Sequence, residues 1–365
     1  MHMPKQCAHL FVLLLAGFCP VTSACAEKLP DARIYRTEKL AALPHAVTNN
    51  AVAVLSVGDA DELYSFLGLG AGKTWRDTHS AAFAFNLEER RWRRIAGVPG
   101  GQGRLAGTAV GLDGKAYVFG GYTVAEDHSE VSVPTVHAYV PERDRYELKA
   151  PMPVPVDDTV AVTYLGRYIY LISGWHNSGN VNLVQLYDTQ HDRWTQATPY
   201  PGSPVFGHAG GMVRNTMVIC DGVSIAVHER DRRAYQASDE CYLGTVQADD
   251  PARIDWFALP PHGPKPLYRM AATGTNRDGG LIIFAGGSDN PYNYDGIGYD
   301  GRPSEPSSRV FAYSLEYREW RQLGELDVAT MDHRGLLQVG TEFVIVGGMR
   351  RRQFVSATVL RFSLD

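Results

Sequence analysis

Six short apolar runs recur along the chain, and each ends in a glycine pair or its near equivalent. They are 62–70 (ELYSFLGLG), 115–121 (KAYVFGG), 167–174 (RYIYLISG), 216–222 (TMVICDG), 281–287 (LIIFAGG) and 342–348 (EFVIVGG). Their terminal glycines fall roughly every 50 to 65 residues, the spacing of a blade-type β repeat. Upstream of the runs lie segments rich in small residues, such as 51–57 (AVAVLSV), 159–165 (TVAVTYL) and 208–214 (HAGGMVR). Downstream comes an alternating segment, such as 82–87 (AFAFNL) or 310–315 (VFAYSL), and then one carrying an aromatic: Trp92, Tyr146, Trp194, Trp256 or Trp320. Runs of this length bounded by turn residues predict strands. A run that is apolar at every position predicts a strand covered on both faces. Small side chains suit strands crowded around an axis. Each repeat therefore predicts a four-stranded meander, and the six together an all-β, six-bladed β-propeller.

The last repeat reaches Asp365 after its third strand. A segment with the features of a fourth strand stands at the other end: 32–44 (ARIYRTEKLAALP) carries Tyr35, then Leu40 and Leu43-Pro44. We expect this N-terminal strand to complete the last blade, which removes the edge that an open array would expose. The doubled glycine and the spaced aromatic resemble kelch repeats, and the resemblance covers nearly all of residues 27–365, read as a single propeller.

Residues 1–26 read as a signal peptide, with Lys5 in the n-region, an apolar stretch at 8–18 and an A-x-A site at Ala24-Cys25-Ala26. The apolar stretch is too short to span a bilayer as a helix, so no integral membrane segment is expected after cleavage. The expected location is periplasmic or secreted; the alternative is a lipoprotein anchored at Cys25. Beyond the signal only Cys220 and Cys241 remain, either as a disulfide or as two buried thiols. A net charge of −5 gives no electrostatic footprint for nucleic acid. The triplet Arg350-Arg351-Arg352 reads as a solvated loop.

In such a meander the connections from second to third strand and from fourth to first strand emerge on one face. The former are long here: 71–80, 122–133, 175–180, 223–239 and 288–307. Long loops concentrate sites, so this face is the expected functional one. Polar residues cluster just before the first strands, at the mouth of the central channel: His45, Arg104, Asp157, Asp158, His208, Arg269, Asp332, His333 and Arg334. Such a ring suits a small anionic molecule, arginine pairing with a carboxylate, although several members could instead cap strand ends. Trp175, His176 and Tyr294 lie in the loops above and are candidates to contact a sugar. No hydrolase, zinc-protease or phosphate-loop motif occurs, and 288–300 lacks the ligand spacing of a calcium loop. No metal or cofactor is expected.

The permuted six-blade closure, the signal peptide and the segment 68–75 (GLGAGKTW) resemble the N-acetylneuraminate epimerase family, periplasmic kelch propellers also called sialate mutarotases. The resemblance implies a small carbohydrate as partner and isomerase chemistry, in which one group accepts the anomeric hydroxyl proton and another protonates the ring oxygen. Arg104, Asp158, Trp175, His176, Arg269, Tyr294, His333 and Arg334 are the candidate substrate contacts, with His208 a candidate acid–base group. The family's proton acceptor is a Glu directly after the glycine that closes the fourth blade's second strand. Val223 stands there in this chain, and His228 and Glu229 in the same loop are the candidate replacements. The alternative is a non-catalytic glycan- or protein-binding propeller. Galactose oxidase, a seven-bladed copper enzyme with kelch repeats, matches neither the blade count nor the ligand pattern.

Overall fold

The computed structural model describes residues 33–58, 60–228 and 232–365. The signal peptide and Cys25 therefore lie outside the described residues, as does Glu229. Among the described residues every long element is a strand, and helical structure is confined to three-residue 3-10 turns. No helix among them is long and apolar enough to cross a membrane.

Six four-stranded antiparallel sheets form the six blades. Blade 1 comprises Ala51–Val57, Ala60–Leu69, Thr78–Asn86 and Arg91–Ile95. Blade 4 comprises Ala209–Val213, Thr216–Cys220, Cys241–Gln247 and Asp250–Leu259. In blade 6 the order is Leu337–Val339, Glu342–Val346, Val359–Leu364 and then Ile34–Leu40, the N-terminal strand pairing antiparallel with the C-terminal one from Ile34↔Leu364 to Leu40↔Val359. The predicted closure is thus made by backbone hydrogen bonds. Tyr35 does not behave like the other fourth-strand aromatics: it is 77% exposed, because the edge strand of this blade turns it to solvent.

The glycine pairs have a steric cause. Both positions adopt left-handed backbone at the end of each second strand, the first of them held by Leu67, Ser173 or Asp221 in three blades. The second is glycine in all six blades. At Gly222 a Cβ would lie 2.9 Å from the Phe206 carbonyl oxygen, and at Gly348 2.6 Å from that of Met331. This carbonyl belongs to the strand entering the channel, which pairs there with the residue after the glycine.

The fourth-strand aromatics clip one blade to the one before it. Trp92 Nε1 donates to the Ala41 carbonyl (2.9 Å), the Tyr146 hydroxyl to Ala96 (2.9 Å), Trp194 Nε1 to Ala150 (2.9 Å) and Trp320 Nε1 to Pro260 (2.7 Å). In blade 4 the Trp256 Nε1 is buried and finds no acceptor among the described residues. Trp194→Phe should therefore cost about 1 kcal/mol, the net worth of a hydrogen bond whose carbonyl is left unmatched. Trp256→Phe should be neutral or mildly stabilising. Urea midpoints measured side by side check the contrast, and equal losses in both variants would remove the hydrogen bond as its cause.

Cys220 and Cys241 form a disulfide between directly opposed positions of the second and third strands of blade 4. It joins the strands at the base of the hairpin made by Val223–His228 and Arg232–Ala237.

Candidate functional site

Where each blade's first strand begins, one residue adopts left-handed backbone: Asn49, Ala106, Asp158, Gly207, Arg269 and Asp332. In the first five blades this residue lies two positions before the first strand. These residues link around the axis through their own backbones. The Ala106 N–H donates to the Asn49 carbonyl, Asp158 to Ala106, Gly207 to Asp158, and Arg269 to Gly207, at 2.8–3.2 Å. His333 N–H continues to the Arg269 carbonyl at 3.1 Å. Side chains close the circle, since the Thr48 hydroxyl and the Asn49 amide both donate to Asp332 Oδ2.

The side chains of this ring form a charge-balanced cluster of two arginines and two aspartates. Arg269 donates from Nη2 to Asp158 and from Nη1 to Asp332 Oδ1 at 3.1 Å. Arg334 Nη2 lies 2.7 Å from Asp158 Oδ1 and donates to Asn49 Oδ1 at 2.6 Å, while its Nη1 stands 3.4 Å from Asp332 Oδ1. All four side chains are at most 3% exposed. Burial alone would raise the Asp332 pKa, but the two guanidinium charges outweigh it and hold the carboxyl below its usual range.

Above the ring, on the long-loop face, Phe206, Val223, Tyr268, Tyr292, Met331 and Met349 pack as one apolar layer, flanked by Trp175, Tyr235 and Tyr299. Arg269 lies against the rings of Tyr268 and Tyr292 at 4.7 and 5.3 Å. The polar ring is thus covered where the sequence suggested an open mouth. Asp158, His208, His333 and Arg334 instead line one cavity of about 250 Å³ with the first strands.

The other candidates separate accordingly. His208 Nε2 donates to the Ile172 carbonyl at 2.8 Å, and burial pushes its pKa down to about 4. His333 meets the Thr330 hydroxyl at 2.8 Å and is likewise pushed down to about 4 by burial. Both imidazoles are neutral at pH 7. His45 is exposed and stands apart from the ring, its position there being taken by Asn49. Arg104 lies two residues before its ring position, and its Nη1 donates to the Gly120 carbonyl and the Thr135 hydroxyl (2.8 and 2.7 Å). Burial lowers its pKa to about 10. Trp175 packs on Phe206 and Tyr235, and His176 Nδ1 bonds the Pro155 carbonyl at 2.8 Å. Val223 is fully buried in the apolar layer. His228 ends its strand opposite Arg232 in the backbone register.

Of two acids near the ring, Asp157 was read from sequence as part of the channel-mouth cluster and Glu130 was not. Asp157 is buried and accepts from the Ser132 hydroxyl at 2.6 Å, and burial, then the neighbouring Asp158 charge, push its pKa well above the usual carboxylate range. Glu130, on the short strand Glu130–Ser132 of the blade 2 hairpin, is exposed. Lost hydration nonetheless raises its pKa, against the pull of Arg269 and reinforced by Asp158. Tyr294 approaches the same hairpin, its hydroxyl 3.2 Å from His128 Nδ1. Asp157 was legible as a member of the channel-mouth cluster; Glu130 carried no signal, because hairpin pairing alone brings it within reach of the Arg269 and Asp158 charges.

A closed ring of six four-stranded blades, each with a glycine-ended second strand and most with an aromatic clip, defines a kelch-type β-propeller. No family model matches the chain. Kelch-like protein 15 of Homo sapiens is 22% identical over 253 residues, 68% of this chain and 39% of that protein. Its Gallus gallus counterpart is 27% identical over 131 residues, 36% of this chain and 26% of that protein. Beta-scruin of Limulus polyphemus is 27% identical over 182 residues, 48% of this chain and 18% of that protein. The chain thus spans less than half the length of these curated relatives. Among solved structures, that of YjhT superposes with a TM-score of 0.68 at 16% identity, covering 89% of this chain and 99% of that one. That likeness is one of fold.

Proposed function

We propose that this protein is an exported kelch propeller that binds a small carbohydrate on its long-loop face and catalyses its anomerisation. The observation that carries the reading is a pair of carboxyls on the loop face: Asp157, which accepts from the Ser132 hydroxyl at 2.6 Å, and Glu130, two residues from Ser132 on the same short strand, both with pKa values raised above the usual range. A carboxyl whose pKa is raised can deliver its proton to a ring oxygen, and a second carboxyl can accept the anomeric proton. Tyr294 on the same side offers a stacking surface. The Cys220–Cys241 bridge fits an oxidising compartment, in keeping with a signal peptide at 1–26.

The geometry redirects the chemistry implied by the N-acetylneuraminate epimerase resemblance. Val223 is a packing residue, so the proton acceptor must come from elsewhere. Arg269 and Arg334 are already neutralised by Asp158 and Asp332, so neither is spare for a substrate carboxylate, whereas Arg104 keeps a buried Nη2 with no partner among the described residues. Proton NMR of freshly dissolved single anomers tests the reading, with N-acetylneuraminate and D-galactose run in parallel. Acceleration by wild-type protein, lowered about 100-fold or more in Glu130→Gln or Asp157→Asn, is the expected result. Unchanged rates for both sugars, with the protein folded, would leave the non-catalytic binding module. That second reading is favoured by the apolar side chains displayed on the loop-face hairpins, Val131 at 52% and Phe354 at 65% exposure.

A further inference from the structure

The hairpin linking the second and third strands of blade 6 carries Arg350, Arg351 and Arg352 on the same face as the candidate site. Its two short strands are Met349–Arg350 and Phe354–Val355. At its tip Arg352 and Gln353 both adopt left-handed backbone, at φ 61° and 54°. Two successive non-glycine residues in that region are strained and persist only where the surroundings impose them. Gln353 imposes them here. Its side chain is 8% exposed and donates from Nε2 to the Ser304 carbonyl at 2.6 Å, while Arg352 N–H reaches Glu305 at 3.4 Å. The pinned tip turns Arg351, Arg352 and Phe354 outward together.

None of the three guanidinium groups makes an ion pair or a side-chain hydrogen bond with the described residues, although the chain carries 40 acidic residues against 35 basic ones. Arg350, Arg351 and Phe354 also border a groove of about 580 Å³ against Glu319–Thr330, the outer strand of the fifth blade. Two carboxylates face that groove, and each is engaged by a hydroxyl: Glu325 accepts from Ser308 at 2.9 Å and Asp327 from Thr37 at 2.5 Å. They repel an anion from the groove floor, so the anionic contact falls to Arg351 and Arg352 at the tip.

We infer that this hairpin is a docking element for an acidic polysaccharide, the two tip arginines pairing with successive carboxylates or sulfates and Phe354 stacking on a sugar ring between them. The inference rests on the carbohydrate reading of the loop face and extends it from a single sugar to a polymer end presented to that face. Arginine is the side chain suited to planar recognition of carboxylate and sulfate. An exposed phenylalanine beside it adds apolar contact that a purely ionic site for nucleic acid would not need.

The test is titration calorimetry of the full chain with polygalacturonate oligomers, with dextran oligomers and poly-glutamate as comparisons. Arg351→Gln/Arg352→Gln and Phe354→Ala lie on an exposed tip and leave the acid pair in place. Expected are binding to polygalacturonate that weakens with salt, a 10-fold or greater loss in the double arginine variant, and a several-fold loss in Phe354→Ala. Undiminished binding in both hairpin variants would overturn the docking element while leaving the carbohydrate reading intact. Tighter binding to poly-glutamate than to polygalacturonate would replace the polysaccharide by an acidic protein segment. Absence of binding to all three polymers, alongside measurable anomerisation of a free sugar, would sink the hairpin proposal alone.

Discussion

Replacing Arg269 by methionine should destabilise the propeller by about 3–5 kcal/mol. Removing the guanidinium leaves Asp158 and Asp332 with Arg334 as their remaining cation, all of them buried, and an uncompensated buried charge is among the costliest single changes a core can suffer. Two lost ion pairs also break the polar circuit that ties blade 5 to blades 3 and 6 across the axis. Asp158→Asn combined with Arg269→Met removes the stranded charge as well as its partner, so the double variant should recover part of the loss. Urea unfolding of both variants gives the comparison. A cost under about 1 kcal/mol for Arg269→Met would show that the arginine is held for a ligand and not for the ring. Its removal would then lower sugar affinity while leaving stability nearly untouched.

Stability should also fall steeply as the pH drops from about 6.5 towards 4. His208 and His333 have folded pKa values of about 4, well below the unfolded value of 6.5. Between those limits the unfolded chain takes up protons that the folded protein refuses, so each buried imidazole withdraws up to about 3 kcal/mol across the window. His137, buried and pushed down to about 4 by burial and then by Arg104, acts in the same direction. Together the two ring histidines can remove about half of a typical domain's stability. Asp157 and Asp221 oppose them: their folded pKa values are raised, chiefly by burial, so their protonated forms become easier to hold as pH falls. Comparing wild type with His208→Gln/His333→Gln isolates the histidines, since glutamine can still donate to the carbonyl that His208 meets. The variant's urea midpoint should lose less between pH 7 and pH 4.5, and parallel curves would refute the assignment.

Much of the fold is local and so was legible in the sequence. A strand covered on both faces must be apolar at every position, and a chain that turns back beside a carbonyl must have glycine there. Those two demands repeat six times and fix the blade count. The N-terminal closure followed from a missing fourth strand at one end and a spare one at the other. Tyr35 failed the analogy because a clip needs a carbonyl on the preceding blade within reach, and strand pattern does not encode that distance.

The site was legible in composition but not in arrangement. The sequence by itself determined the repeats and placed arginines, aspartates and histidines near the axis. Tertiary structure alone decided that Arg269 and Arg334 pair with Asp158 and Asp332, that Val223 and Tyr292 cover them, and that Glu130 comes within reach of the Arg269 and Asp158 charges. It also settled the Cys220–Cys241 question, by opposing the two cysteines in adjacent strands. The reason is range. Hydrophobic period and backbone sterics act between near neighbours in the chain, whereas the partners of a buried charge come from blades separated by up to 285 residues, as Asn49 and Arg334 are, and meet only when the ring closes.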